Sequence, residues 1–129
     1  MRSASVAFLV LFAVACGDPT SVTDGVLTVR RDTGHLELQN GSSTPLSYFV
    51  VERSASALVL SWQPCTGPRC PTIGAHAAVS VPDSAIVGFT AAAREALVFW
   101  WHAVSDSTQL VPPDSIHSLI APLLRGRGA

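Results

Sequence analysis

Apolar and polar residues alternate in short runs along most of this chain, and turn-forming residues separate the runs. Val26–Val29 predicts a first strand, followed by an Asp32-Thr33-Gly34 turn. His35–Asn40 alternates cleanly, with Leu36 and Leu38 on the inward side. Asn40-Gly41-Ser42-Ser43-Thr44-Pro45 reads as a loop, and Leu46–Glu52, rich in aromatic and β-branched residues, as a central strand. Ser54–Ser56 breaks that run before a further strand at Ala57–Trp62. A loop from Gln63 to Gly74 holds three prolines and two cysteines. Ala77–Val81 is strand-like up to Pro82, and Ile86–Phe89 is a short extended piece. Ala91–Ala96 predicts one helical turn, because alanine favours it. Leu97–Val104 is the most apolar strand, and a proline-containing loop runs from Gln109 to Asp114. Over Ser115–Leu123, Ile116, Leu119, Ile120 and Leu123 fit a helix face, while Ile116, Ser118 and Ile120 fit a closing strand. The strand is favoured.

About seven short strands in roughly 100 residues predict an all-β fold, an antiparallel β-sandwich of immunoglobulin-like architecture over residues 26–124. Residues 125–129 (Arg-Gly-Arg-Gly-Ala) read as a disordered tail. Neighbours on a strand point to opposite faces. Leu97, Phe99 and Trp101 therefore share one face, read as core, and Val98, Trp100, His102 and Val104 the other. Trp100 and His102, placed outside near Tyr48 or Trp62, form a candidate binding face for a glycan, a peptide or a partner protein, with the Cys65–Cys70 loop helping to hold a glycan or peptide. The opposing expectation is that loops or the alanine-rich segment cover both tryptophans, and it carries the greater weight.

The first sixteen residues have a different pattern. Arg2 is a short basic start, Val6–Val14 is apolar, and Ala13-Val14-Ala15-Cys16 ends the segment. This layout resembles a bacterial prolipoprotein signal peptide with a lipobox, although Ala13 stands where leucine is commonest. The resemblance implies cleavage after residue 15, acyl chains on Cys16, and a flexible tether over residues 16–25. It also implies a place in the bacterial cell envelope, with Gly17 favouring an outer over an inner membrane. The apolar run is too short to cross a bilayer, which takes about 20 residues. Removing residues 1–15 leaves 114 residues with seven arginines, nine acids and no lysine, a net side-chain charge of −2. No basic footprint for nucleic acid exists.

An exported chain folds in an oxidising compartment, where Cys65 and Cys70, four residues between them, are expected to pair. Gly67-Pro68 supplies the turn. The remaining chemistry is sparse. No serine lies in a Gly-x-Ser-x-Gly elbow, and His35, His76, His102 and His117 show no metal-ligand spacing. Glu37, Glu52 and Glu95 have no signature arrangement either. A single close cysteine pair does not make a structural zinc site. The expectation is a non-catalytic domain without metal or cofactor. Its partners are the membrane through its acyl chains, and an envelope protein or glycan.

Overall fold

The computed structural model of the protein describes residues 21–57 and 62–124. The signal segment, Cys16, most of the Ala57–Trp62 strand and the 125–129 tail lie outside the described residues. Eight strands form two antiparallel four-stranded sheets. The strands are β1 (Ser21–Thr23), β2 (Leu27–Asp32), β3 (His35–Asn40), β4 (Leu46–Glu52), β5 (Thr72–Ile73), β6 (Ala78–Pro82), β7 (Glu95–His102) and β8 (His117–Pro122). The first sheet has the order β1-β2-β3-β6 and the second β5-β4-β7-β8. Setting β1 aside, consecutive strands cross between sheets at β3–β4, β5–β6 and β6–β7. That is the Greek-key pattern of an immunoglobulin-like sandwich.

Strand alternation fills the space between the sheets. Leu27, Val29, Leu36 and Leu38 from the first sheet meet Leu46, Val50, Ala96, Val98, Trp100 and Ala121 from the second. Asn40, fully buried, closes one end of this core. Its Nδ2 donates to the carbonyls of Thr44, Ile73 and Gly74 at 2.8, 3.2 and 3.1 Å, and its Oδ1 accepts from the Ser42 N–H at 2.8 Å. The buried amide is therefore fully partnered, as burial requires.

Several local expectations change. The tether is shorter than its composition suggests, because Ser21, Val22 and Thr23 pair with Arg30, Val29 and Thr28 as an added edge strand. Ser54–Ser56 belongs to a single α turn, α1 (Arg53–Ser56), capped by the Glu52 carboxylate accepting from the Ala55 N–H at 2.8 Å. Hydrogen bonds from Ser54 and Ala55 hold that carboxyl below the ordinary glutamate range. Ile86–Phe89 makes only one bridge, Val51 to Val87. The alanine-rich stretch forms no helical turn; β7 already begins at Glu95, and helix propensity yields to pairing with β4 and β8. The ambiguous segment is strand β8.

The sandwich has two unlike ends. At one end, here the turn end, lie the β2–β3 turn, α1, the start of β7 and the end of β8. Arg31, its side chain 8% exposed, forms a two-pronged pair there with Asp83, at 2.5 and 3.0 Å. The hydrogen bonds from Arg31 outweigh partial burial and hold the Asp83 carboxyl below its usual value. At the other end, the loop end, residues 24–26, 40–45, 63–71 and 103–116 gather.

Candidate functional site

The four residues of the expected binding face do not share a surface. Trp100 is 3% exposed and belongs to the inter-sheet core, beside Val98 and Ala96. The parity assigned to β7 is thus reversed: its even positions face the other sheet, and Leu97 and Phe99 are half-buried on the outer side. Both faces of β7 are apolar, so alternation alone could not orient it. Tyr48 stands opposite Trp100 on β4, half-buried, and burial pushes its hydroxyl pKa up. His102 is exposed at the strand end, with Nδ1 3.2 Å from the Thr44 hydroxyl. Trp62 lies across the sheet on its outer side, against Phe49 and Phe99.

The Trp100 indole N–H finds a hydrogen-bond partner, as an enclosed tryptophan must. Its Nε1 donates to Asp24 Oδ2 at 2.8 Å, linking the β1–β2 turn to the second sheet. The other Asp24 oxygen accepts from the N–H groups of Val26 and Leu27, each at 2.9 Å. Partial burial pushes the Asp24 carboxyl up. These three bonds and nearby His117 outweigh it and leave the pKa below the ordinary aspartate value. The His117 ring stacks on Trp100 at 4.1 Å, nearly parallel, and covers one face of the indole.

Trp101, 1% exposed, is buried from the opposite side of the sheet. Trp62 stacks on Phe49 at 5.1 Å and meets Phe99 at 4.9 Å and Trp101 at 6.0 Å. The Trp101 Nε1 donates to the Cys65 carbonyl at 3.0 Å. This aromatic cluster fastens the cysteine loop to the outer face of β4 and β7. The Cys65–Cys70 disulfide is formed, with a Cα–Cα separation of 5.7 Å.

That loop builds the most distinctive surface feature. The Gly67 N–H donates to the Val104 carbonyl at 2.7 Å, and the Thr66 hydroxyl to the Ser107 carbonyl at 3.3 Å. Gly67 has φ +105°, and a Cβ there would sit 3.1 Å from that of Ser107, so glycine permits the two loops to meet. The Thr108 N–H and hydroxyl donate to Asp106 and hold its carboxyl below the usual range, shaping the second loop. Between the loops lies a groove of about 520 Å³, with Gln63, Pro64 and Thr66 on one wall and Gln109, Leu110 and Pro112 on the other. No charged side chain lines it. Of the sequence-stated features only the cysteine loop contributes; Gln63, Gln109 and Leu110 carry no spacing signal, and only proline richness on both loops hinted at rigid walls.

A smaller apolar cleft of about 220 Å³ opens at the β4–β6 side, lined by Tyr48, Val50, Pro71, Val81 and Val87 among others. Among the described residues no three His, Cys, Asp or Glu side chains come together to hold a metal, and no helix is long and apolar enough to cross a membrane. No family model, curated protein or solved structure matches this chain.

Proposed function

We propose that the protein is a bacterial envelope lipoprotein, held at the membrane by acyl chains on Cys16, whose β-sandwich is a non-catalytic body for structural or protein-interaction roles. The observation that supports this reading is the position of β1: the first strand among the described residues begins at Ser21, five residues after the lipobox cysteine. A disulfide closed on a two-loop junction fits a chain that folds in an oxidising compartment. The acyl chains bind by burial of about 0.8 kcal/mol per methylene, so two or three chains suffice for stable anchoring without any help from the sandwich. Gly17 after the cysteine favours the outer membrane.

The test is fractionation of cells expressing the wild type and Cys16→Ser, with intact-mass measurement of the purified protein. The expected result is an acyl adduct on the wild type in the membrane fraction, and a mutant without adduct that leaves the membrane. A wild type of unmodified mass refutes the anchor.

The loop-end groove favours a second reading, a ligand-binding module for a neutral peptide or glycan. Its size falls within the range of small-ligand sites, about 300–1,000 Å³, and its amides and hydroxyls match uncharged hydrogen-bonding partners. Trp100 has no part in it. Thermal-shift titration with neutral oligosaccharides and peptides, repeated on Leu110→Arg, tests the reading. A shift abolished by the variant supports it, and no shift with either class removes it.

A further inference from the structure

We infer that the turn end of the sandwich rests on the lipid surface, so that the loop-end groove points away from the membrane. The inference depends on acylation of Cys16 and goes beyond it, since a lipid anchor alone sets no orientation. β1 is antiparallel to β2, with Ser21 opposite Arg30, so the N-terminal side of β1 points toward Asp32 and the β2–β3 turn. Five Cα–Cα steps separate Cys16 from Ser21, a reach of at most about 18 Å. The headgroup layer takes up about 6 Å of that reach. The turn end extends beyond Ser21 by two further residue pairs, about 7 Å. Even a fully stretched link therefore leaves the turn end within a few ångströms of the headgroups.

The surface chemistry of the two ends agrees with this placement. Val87, Ile120 and Leu124 are three of the four large apolar side chains that lie exposed among the described residues, and all three lie toward the turn end. Arg94, exposed there, has no ion pair among the described residues, whereas Arg30, Arg31 and Arg53 are paired with acids. In the sequence Arg125 follows Leu124 directly, and Arg127 comes after Gly126. Exposed apolar side chains beside the unpaired Arg94 match a lipid surface containing anionic headgroups. The loop end is the more acidic, with Arg69 alone against Asp24, Asp106 and Asp114, whereas at the turn end Arg30, Arg31, Arg53 and Arg94 nearly balance Asp32, Glu37, Glu52, Asp83 and Glu95.

The experiment uses the acylated full-length mature protein in vesicles of phosphatidylcholine and phosphatidylglycerol, with and without bromine on the acyl chains. Leu124→Trp and Leu110→Trp place a reporter at each end, on side chains already 51% and 87% exposed, so neither threatens the fold. Emission is read as the difference from the parent, which has three tryptophans of its own. The expected result is blue-shifted emission from Leu124→Trp that brominated lipid quenches and high salt partly restores, with Leu110→Trp unaffected. Quenching of Leu110→Trp, or of neither variant, in protein whose mass shows the acyl adduct overturns the orientation alone. A mass without the adduct overturns the anchor reading and the orientation with it.

Discussion

Trp100 shows how much one side chain can decide in a small sandwich. Its ring fills core between the sheets, its N–H is held by Asp24, and His117 lies over it. Trp100→Ala removes all three contacts at once and is expected to cost about 3–5 kcal/mol, measured by denaturant unfolding. A residue on an exposed binding face would cost almost nothing. The Asp24 carboxyl makes the same region sensitive to acid. Its folded pKa lies below the ordinary value, so it stabilises the fold fully above an unfolded pKa of about 3.9. That contribution is lost as pH falls through the folded value. Melting temperature is expected to fall as pH drops below about 4, through the range between the unfolded and the folded value, and Asp24→Asn to flatten part of that fall while lowering stability at neutral pH. A mutant with an unchanged acid profile would show that Asp24 is not the group responsible. Asp83, paired with Arg31, titrates in the same direction, as do Glu52 and Asp106, and together they supply the remainder.

At the scale of elements, strands were readable wherever one face was apolar and the other polar. His35–Asn40 and Leu46–Glu52 have the boundaries their alternation predicts, because a single register buries Leu36, Leu38, Leu46 and Val50. Legibility failed where both faces are covered. β7 carries apolar residues at every position from Ala96 to Trp101, and only the arrival of the Trp62 loop on one side decides which tryptophan is in the core. The groove was not legible at all, since it depends on two loops more than thirty residues apart meeting through Gly67. Connections make two testable demands. Gly88 has φ +76°, and a Cβ there collides with the Cβ of Ala55. Gly88→Ala is therefore expected to cost more than about 2 kcal/mol, the left-handed backbone and the overlap adding, and Ala55→Gly in the same chain to recover part of it. Reducing the six-residue Cys65–Cys70 ring releases about 2 kcal/mol of loop-closure constraint. The expected result is a lower melting temperature, with faster amide exchange at Gly67 and unchanged exchange at Val98. Equal acceleration at both amides would mean that the disulfide supports the whole core rather than the groove.

For the whole molecule, the decisive length is the link between Cys16 and β1. The composition of residues 17–25 reads as a tether, yet Ser21–Thr23 is sheet, because Val22 opposite Val29 packs against the core and supplies an edge strand. Polar composition could not reveal this, since an edge strand of three residues needs only one apolar side chain. On the proposed acyl anchor, the short link is what would set the orientation, and restoring length is the way to test it. Inserting about ten Gly/Ser residues between Gly17 and Asp18 adds a coil with a mean span of about 17 Å, enough to let the sandwich leave the headgroups. The insertion leaves the proposed acylation site untouched, so the variant is expected to stay in the membrane fraction with its wild-type melting temperature. The Leu124→Trp reporter in that variant is expected to lose most of its quenching by brominated lipid. Quenching that survives the insertion would assign the contact to Leu124 and its neighbouring arginines acting alone. Quenching that disappears would assign it chiefly to the short link, with Ile120, Leu124 and Arg94 adding too little attraction to hold the domain down by themselves.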